Sequence, residues 1–508
     1  MHTTPPAPAS TSTGTDAIRN VAFVSLGCPK NLVDSEHMLA TLQDAGLTLV
    51  GDHDEADAVV VNTCGFLEAS KQESLDVIAE AVDRKKAGRL QRIIVAGCLV
   101  QRHRARLLDW VPDIDAMIGV FDRDHILDAV RGSTPDRPDL ARASDQPRYW
   151  IAGNALQAAR ERGVTTTGLT VNGADGRGIG YFEPEGHRLR LTPRHWAYLR
   201  VSEGCNQKCA FCTIPSIRGK MRSKPLERIV DEANRLFADG AVELNLIGQD
   251  TTSYGYDLAD PESRKGLVEL LTRLNDVADA HGGGWVRLMY VYPTHFTDDM
   301  IDAIADLPHI AKYIDIPLQH MSDPMLERMR RNITRAEQEH LLHKLRERIP
   351  GLAVRTTFIT GFPGETEDDH QALLEFIDEF QFDMLGVFQY SPEPGTPAAR
   401  LHDDPELRVA DDVKARRESE IMLLQQEIAF ENAAYLAEQD AQFDVLIDKA
   451  LDGPADAELG DDHIHEGRCY HQAPEVDSVT CLVSRERRAP GELVRARIVD
   501  ADGYDLIA

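Results

Sequence analysis

No apolar run in this chain of 508 residues approaches the length needed to cross a bilayer. Its first residues lack the basic-then-apolar pattern of a secretory signal. Basic residues are in short supply: 55 Lys and Arg stand against 84 Asp and Glu, a formal net charge of −29. A generic binder of phosphate backbones carries the opposite sign, so nucleic acid is disfavoured as the main partner, and a basic protein is permitted. Cysteine is scarce, at eight residues. In a long chain without a secretory signal these read as metal ligands or buried thiols, not as a disulfide framework. Together these absences predict a cytoplasmic protein with no membrane association.

What is present is the composition of a globular protein, 42% hydrophobic and 27% charged, and a length that calls for two or three domains. Residues 1–18 are rich in Pro, Ala, Ser and Thr over 3–15 and read as a disordered tail. Residues 19–132 alternate short apolar runs (21–27, 58–62, 92–96) with helical stretches (31–45, 68–86), the pattern of an α/β domain with a parallel sheet. Residues 133–190 are turn-rich and read as a linker or insertion with one or two strands. A second alternating series fills 191–437, with strands expected at 197–202, 242–247, 285–291, 313–317, 354–360 and 385–389. Six βα units make a full or partial parallel barrel, followed by a long exit helix over 411–437. Residues 438–508 read as a small all-β, OB-like module, with strands near 443–447, 479–483 and 493–499. The fold class is therefore α/β with a small β module at the end.

The strongest chemical signal is Cys205-Asn-Gln-Lys-Cys209-Ala-Phe-Cys212, on a loop after the first barrel strand. Three thiolates this close can grip three irons of a cubane cluster and leave the fourth iron open to a small molecule. A structural zinc site needs a fourth Cys or His nearby, and His195, on the far side of that strand, is a poor match. This spacing, with Phe211 before the last cysteine, resembles the radical S-adenosylmethionine (SAM) superfamily.

Cys28, Cys64 and Cys98 are individually weak signals, since lone buried cysteines are common. As a set they differ. Three successive βα units each deliver one cysteine to the carboxyl edge of a parallel sheet, where active groups collect. Each has a glycine beside it, in Leu-Gly-Cys28-Pro-Lys-Asn, Asn-Thr-Cys64-Gly and Ala-Gly-Cys98-Leu. The pattern points to a second iron–sulfur cluster.

The strings Ser25-Leu-Gly-Cys-Pro-Lys-Asn-Leu-Val-Asp-Ser-Glu, Asn62-Thr-Cys and Gly97-Cys resemble the N-terminal domain of the radical SAM methylthiotransferase family, with a radical SAM core and a TRAM module following in that family's order. The resemblance spans nearly the whole chain apart from the tail and the region around 133–187. One branch of the family modifies an adenosine of transfer RNA; the other methylthiolates an aspartate of protein twelve of the small ribosomal subunit. Gly248-Gln-Asp-Thr-Thr-Ser-Tyr-Gly, Tyr313-Ile-Asp-Ile-Pro-Leu-Gln-His and, most diagnostically, Gly467-Arg-Cys-Tyr-His-Gln-Ala-Pro-Glu-Val-Asp resemble the ribosomal-protein branch. Charge is an independent check: residues 441–508 hold 15 Asp and Glu against 7 Lys and Arg, the wrong sign for a module that grips RNA.

The resemblance implies two 4Fe–4S clusters, on Cys28, Cys64, Cys98 and on Cys205, Cys209, Cys212, together with S-adenosylmethionine. It implies that Gly248, Gln249 and Asp250 lie near SAM and that Arg355 and Thr357 reach its carboxylate or ribose. Ordinary barrel-lining roles are equally open for these five. It further implies a basic ribosomal protein as substrate, a flavodoxin-like or other electron donor, and two SAM molecules per turnover. One methylates a sulfur held at the first cluster; the other provides the radical that removes a β-hydrogen from the aspartate. The alternatives are methylthiolation of transfer RNA and an iron–sulfur scaffold without catalysis.

Three other features are minor. Gly361-Phe-Pro-Gly-Glu-Thr lacks the Lys-Ser/Thr of a phosphate loop and reads as a strand-to-helix turn with Thr366 near the helix start. Arg218-Gly-Lys-Met-Arg222 reads as a solvated loop, or as a contact for the target carboxylate. Cys469 and Cys481 have no partners at metal-ligand spacing.

Overall fold

The structure, a computed structural model, describes residues 18–132, 148–161, 187–258, 266–451 and 462–508. The expected tail lies outside these residues, except for Ile18, as does most of the 133–190 stretch. Among the described residues no helix is long and apolar enough to cross a membrane.

The N-terminal strands are β1 (Asn20–Ser25), β2 (Thr48–Val50), β3 (Ala58–Thr63), β4 (Arg92–Gly97), β5 (Ala116–Ile118) and β6 (Arg148–Trp150). They form one parallel sheet in the order β2-β1-β3-β4-β5-β6. The run Ala-Val-Val-Val-Asn-Thr of β3 is buried throughout, as a central strand must be when helices cover both faces. Helix Pro29–Asp44 and helix Ile126–Arg131 pack Met38, Leu42, Ile126 and Val130 on one face; helix Glu68–Lys86 packs Ile78 and Val82 on the other. β6 falls inside the stretch read as a linker. It joins the sheet because Trp150, only 1% exposed, completes the first of these cores.

The second body contains β7 (Trp196–Arg200), the short antiparallel ribbon β8 (Ser202–Glu203) and β9 (Arg222–Ser223), then β10 (Glu243–Ile247), β11 (Trp285–Leu288), β12 (Ile310–Asp315), β13 (Ala353–Thr360) and β14 (Met384–Gln389). Six strands make an open parallel sheet, β14-β13-β12-β11-β10-β7, the partial barrel expected. The two-residue period sorts the side chains. Leu244, Leu246, Val286, Leu288, Ile314, Val354 and Phe358 face the covering helices, each buried side chain contributing about 1.5–3 kcal/mol. The alternate positions Glu243, Asn245, Arg287, Tyr313, Asp315, Arg355 and Thr357 form a polar interior.

Helix Asp411–Glu438 leads to the last body: β15 (Gln442–Leu451), β16 (His463–Arg468), β17 (Thr480–Ser484), β18 (Leu493–Arg497), β19 (Asp500–Asp502) and β20 (Asp505–Ile507). Their order is β18-β15-β16-β17-β20-β19, antiparallel except where β17 meets β20. The connection from β16 to β17 enters the barrel interior. Arg468 pairs with Glu243 at 2.6 Å, and Arg287 donates to the carbonyls of Tyr470 and Gln472. Asp477 accepts from the Tyr313 hydroxyl at 2.8 Å and from Arg355 Nε at 3.2 Å. The string read as most diagnostic, 467–477, is thus a polar floor for the barrel.

Candidate functional site

The first cysteine set sits at three adjacent strand ends. Cys28 precedes helix Pro29–Asp44, Cys64 directly follows β3, and Cys98 follows β4 and opens helix Cys98–His103. Glycine lets these loops close on one another. A Cβ on Gly27 would lie 2.8 Å from Cys64 Cβ and 3.2 Å from its Sγ. One on Gly65 would lie 2.7 Å from Leu99 Cα. Burial pushes the Cys98 thiol up to about 12, and Cys28 and Cys64 push in the same direction. Such thiols give up their protons only when a cation replaces them.

The second set lies beyond the carboxyl end of β7, between β8 and β9. Cys205 Sγ accepts from the Gln207 amide at 3.4 Å, and Gln207 Nε2 donates to Asp250 at 2.8 Å. Asp250 also accepts from the hydroxyls of Thr252 and Ser253. Arg331 Nη1 donates to Cys209 Sγ at 3.4 Å while its guanidinium lies 4.3 Å over the Tyr292 ring. Burial pushes Cys205 and Cys212 up to about 12. Among the described residues no three His, Cys, Asp or Glu side chains gather tightly enough to hold a single metal ion. A cubane cluster, in which each thiolate takes a separate iron, makes no such demand.

The two sets meet across a buried charge network. Asp34, from the first body, faces Arg123 at 3.2 Å, Arg218 at 3.1 Å, and Arg200. Glu203, on the barrel side, faces Arg200 at 2.9 Å and Arg218 at 3.1 Å. Burial alone would raise the Asp34 carboxyl, but these arginines outweigh it and hold it below its ordinary value. Arg218 Nη2 also reaches Cys98 Sγ at 3.5 Å. Of the 218–222 segment, Lys220 is exposed as a solvated loop residue would be, but the two arginines are not. Arg218 and Arg222 are each 1% exposed, so a solvated loop does not describe them. A basic run looks solvated in a sequence because its acidic partners, Asp34 and Glu203, lie elsewhere in the chain.

Of the remaining expected site residues, Gly248, Gln249 and Asp250 follow β10 and adjoin the second set through Gln207. A Cβ on Gly248 would meet Ser202 Oγ at 2.8 Å, and Gln249 Oε1 is buried without a hydrogen-bond partner. Arg355 and Thr357 share the interior face of β13. Arg355 is bound by Asp315 at 2.9 Å and by Asp477; among the described residues no hydrogen bond or ion pair joins it to the loop of the second set. Sequence reasoning missed Tyr290. It is partly buried, has a left-handed φ of 59°, and donates its amide to Asp315 at 3.2 Å. Its ring packs in a cluster with Val33 of the first body and Trp196, Tyr198 and Ile247 of the barrel, and burial raises its hydroxyl pKa. An aromatic residue in that conformation is strained, and such strain gathers at functional sites. No sequence signal announces it.

Comparison with known proteins agrees with this geometry. The model of the radical SAM superfamily matches residues 199–377, that of an uncharacterized protein family, UPF0004, matches 20–119, and that of the TRAM domain matches 441–508. A solved radical SAM methyltransferase, TsrM from Kitasatospora setae, shares the fold at a TM-score of 0.51 over 75% of this chain and 77% of its own, with 14% identity. Two curated relatives are named ribosomal protein uS12 methylthiotransferase RimO. The one from Geobacter sulfurreducens is 39% identical over 97% of this chain and 98% of its own. The one from Koribacter versatilis is 39% identical over 96% of both. With two cysteine sets flanking one buried charge network and identity of this extent along nearly the whole chain, the chain belongs to the RimO branch of the radical SAM methylthiotransferases.

Proposed function

We propose that this chain adds a methylthio group to the β-carbon of an aspartate in protein twelve of the small ribosomal subunit. The observation that carries the reading is the meeting of two separate cysteine sets at one junction. A simple radical SAM enzyme needs only one. Cys205, Cys209 and Cys212 would hold one 4Fe–4S cluster, the one that binds SAM, and Cys28, Cys64 and Cys98 would hold the other. When bound, these groups supply a 5′-deoxyadenosyl radical and a site for the sulfur to be transferred.

The chain's own residues place the groups and exclude water. Gly248 lets the backbone approach closely, and the buried Gln249 Oε1 and the Asp250 carboxylate offer acceptors to the SAM amino group. Arg355 and Thr357 offer donors from the barrel interior. Arg331 and Arg218 each bring a guanidinium to a ligand sulfur, which stabilises the thiolate. The acidic surface of the last body suits a basic ribosomal protein and opposes the transfer RNA alternative. The enzyme works in the cytoplasm with a flavodoxin-like or similar electron donor.

Two experiments test this. Anaerobically reconstituted enzyme with SAM and a reductant is offered the ribosomal protein and transfer RNA in parallel; methylthiolation of the protein is expected, and modification of transfer RNA alone would refute the assignment. Separately, iron analysis should give about eight irons per chain, falling to about four when any one cysteine of either set becomes Ala.

A further inference from the structure

The first body and the barrel are joined at the site by a second buried ion pair, separate from the Arg218 network. Glu393 lies in the segment after β14, and its side chain is 2% exposed. Arg102, on the helix that Cys98 opens, approaches Glu393 Oε2 at 2.9 Å. The same arginine donates through Nη1 to the carbonyls of Gly65 at 2.8 Å and Phe66 at 3.1 Å. Glu393 Oε1 accepts from the Glu68 amide at 3.1 Å and is held in turn by the Ser391 hydroxyl at 3.0 Å. One carboxylate of the barrel therefore fixes both the loop after Cys64 and the helix that begins at Cys98.

The segment that carries Glu393 also reaches the other set. The Glu393 carbonyl accepts from Thr396, and the Ala398 amide donates to the carbonyl of Ala210, which lies between Cys209 and Cys212. From the opposite direction, the Thr213 hydroxyl points at the Phe66 carbonyl from 3.5 Å. Both cysteine loops are tied to one short segment of backbone, and the Glu393 side chain is its link to the first body. Among the described residues no hydrogen bond joins Glu393 or Arg102 to a cysteine sulfur; their partners are backbone, Ser391 and each other.

We propose that Glu393, acting through Arg102, is a positioning residue that sets the separation and orientation of the two clusters, so that sulfur held at one faces the radical formed at the other. This rests on the two-cluster reading above. A buried carboxylate–guanidinium pair suits the task because separating the two charges would leave each uncompensated away from water. Its loss should loosen the register between the bodies and leave each cluster's own ligands in place.

The test uses the full chain with both clusters reconstituted, comparing the natural protein with Glu393→Gln, Glu393→Asp and Arg102→Met. Iron per chain is measured first. Then come the magnetic coupling between the two reduced clusters, by electron paramagnetic resonance, and the ratio of 5′-deoxyadenosine formed to methylthio groups transferred. Glu393→Gln and Arg102→Met are expected to keep about eight irons, weaken or broaden the coupling, and raise the ratio several-fold as SAM cleavage becomes uncoupled from transfer. Glu393→Asp, which keeps the charge, should recover part of both. Unchanged coupling and an unchanged ratio would overturn the proposal. So would a fall to about four irons in Glu393→Gln, since the residue would then be supporting the Cys64 loop alone. About four irons in the natural protein would instead refute the two-cluster reading itself.

Discussion

Gly97 shows how tightly the first cysteine set is built. Its φ is +97°, and a Cβ there would lie 2.4 Å from Asn62 Oδ1 and 2.7 Å from the Thr63 carbonyl oxygen. An added methyl group meets backbone as well as a strained torsion, and neither can relax without moving Cys98. Gly97→Ala should therefore lower the stability of the metal-free chain by more than about 1 kcal/mol, read as a shift of the urea midpoint. A midpoint equal to that of the natural protein would show that this loop has a second acceptable conformation. At this scale the sequence was a good guide to the sulfur atoms and a poor guide to what surrounds them. The cysteines announce themselves by spacing and by the strand ends they follow. Arg218, Arg331, Glu393 and Tyr290 do not, because each acquires its role from a partner far away in sequence.

Among the elements, helix Glu367–Phe380 offers a clean case. Thr366 accepts from the Asp369 amide at 3.2 Å while Asp369 accepts from the Thr366 amide at 2.9 Å, a reciprocal cap that satisfies two amide groups otherwise left open. Thr366→Ala is expected to cost about 1 kcal/mol, measurable by denaturant unfolding. This cap was legible in the sequence because capping is local, and helix Glu68–Lys86 was expected over the same residues for a similar reason: its signals lie within its own length. The three-residue strands β2, β5 and β6 left no such trace, since three residues cannot display a period. Only pairing to a neighbour makes them strands. Trp150 is the anchor of β6, and Trp150→Ala should cost about 3–5 kcal/mol. A much smaller loss of unfolding free energy would mean that β6 adds little to the sheet.

Over the whole molecule, buried charge joins the bodies. Glu243 on β10 is wholly buried between Arg287 at 2.8 Å and Arg468 at 2.6 Å, so the last body is held to the barrel by an ion triad. Glu243→Gln removes the carboxylate that Arg287 and Arg468 share, leaving Arg468 its pair with Asp448, and is expected to cost about 3–5 kcal/mol, with faster proteolysis between the barrel and the last body. A similar network ties the first body to the barrel, where Arg188 faces Glu36 at 3.1 Å and Glu232 at 3.3 Å. Burial tends to raise the Glu232 carboxyl. Lys224 and Arg188, with a smaller part from His37, outweigh it and hold Glu232 down to about 2. A carboxyl depressed in the fold contributes stability that is complete above its ordinary value near 4.5 and is lost as pH falls toward 2. Stability measured across that window should fall less steeply in Glu232→Gln than in the natural protein, and parallel curves would contradict the assignment.

The sequence by itself determined the alternation of strand and helix, the polar and apolar faces of each strand, and which six cysteines stand at strand ends, because these follow from local periodicity and spacing. Tertiary structure alone decided that the two cysteine sets flank one buried charge network, that Arg218 is buried beside Cys98, and that the 467–477 string forms the barrel floor. Each of those depends on residues that are distant in the chain, and on the burial that turns a charged side chain from a solvated group into one that must find its partner.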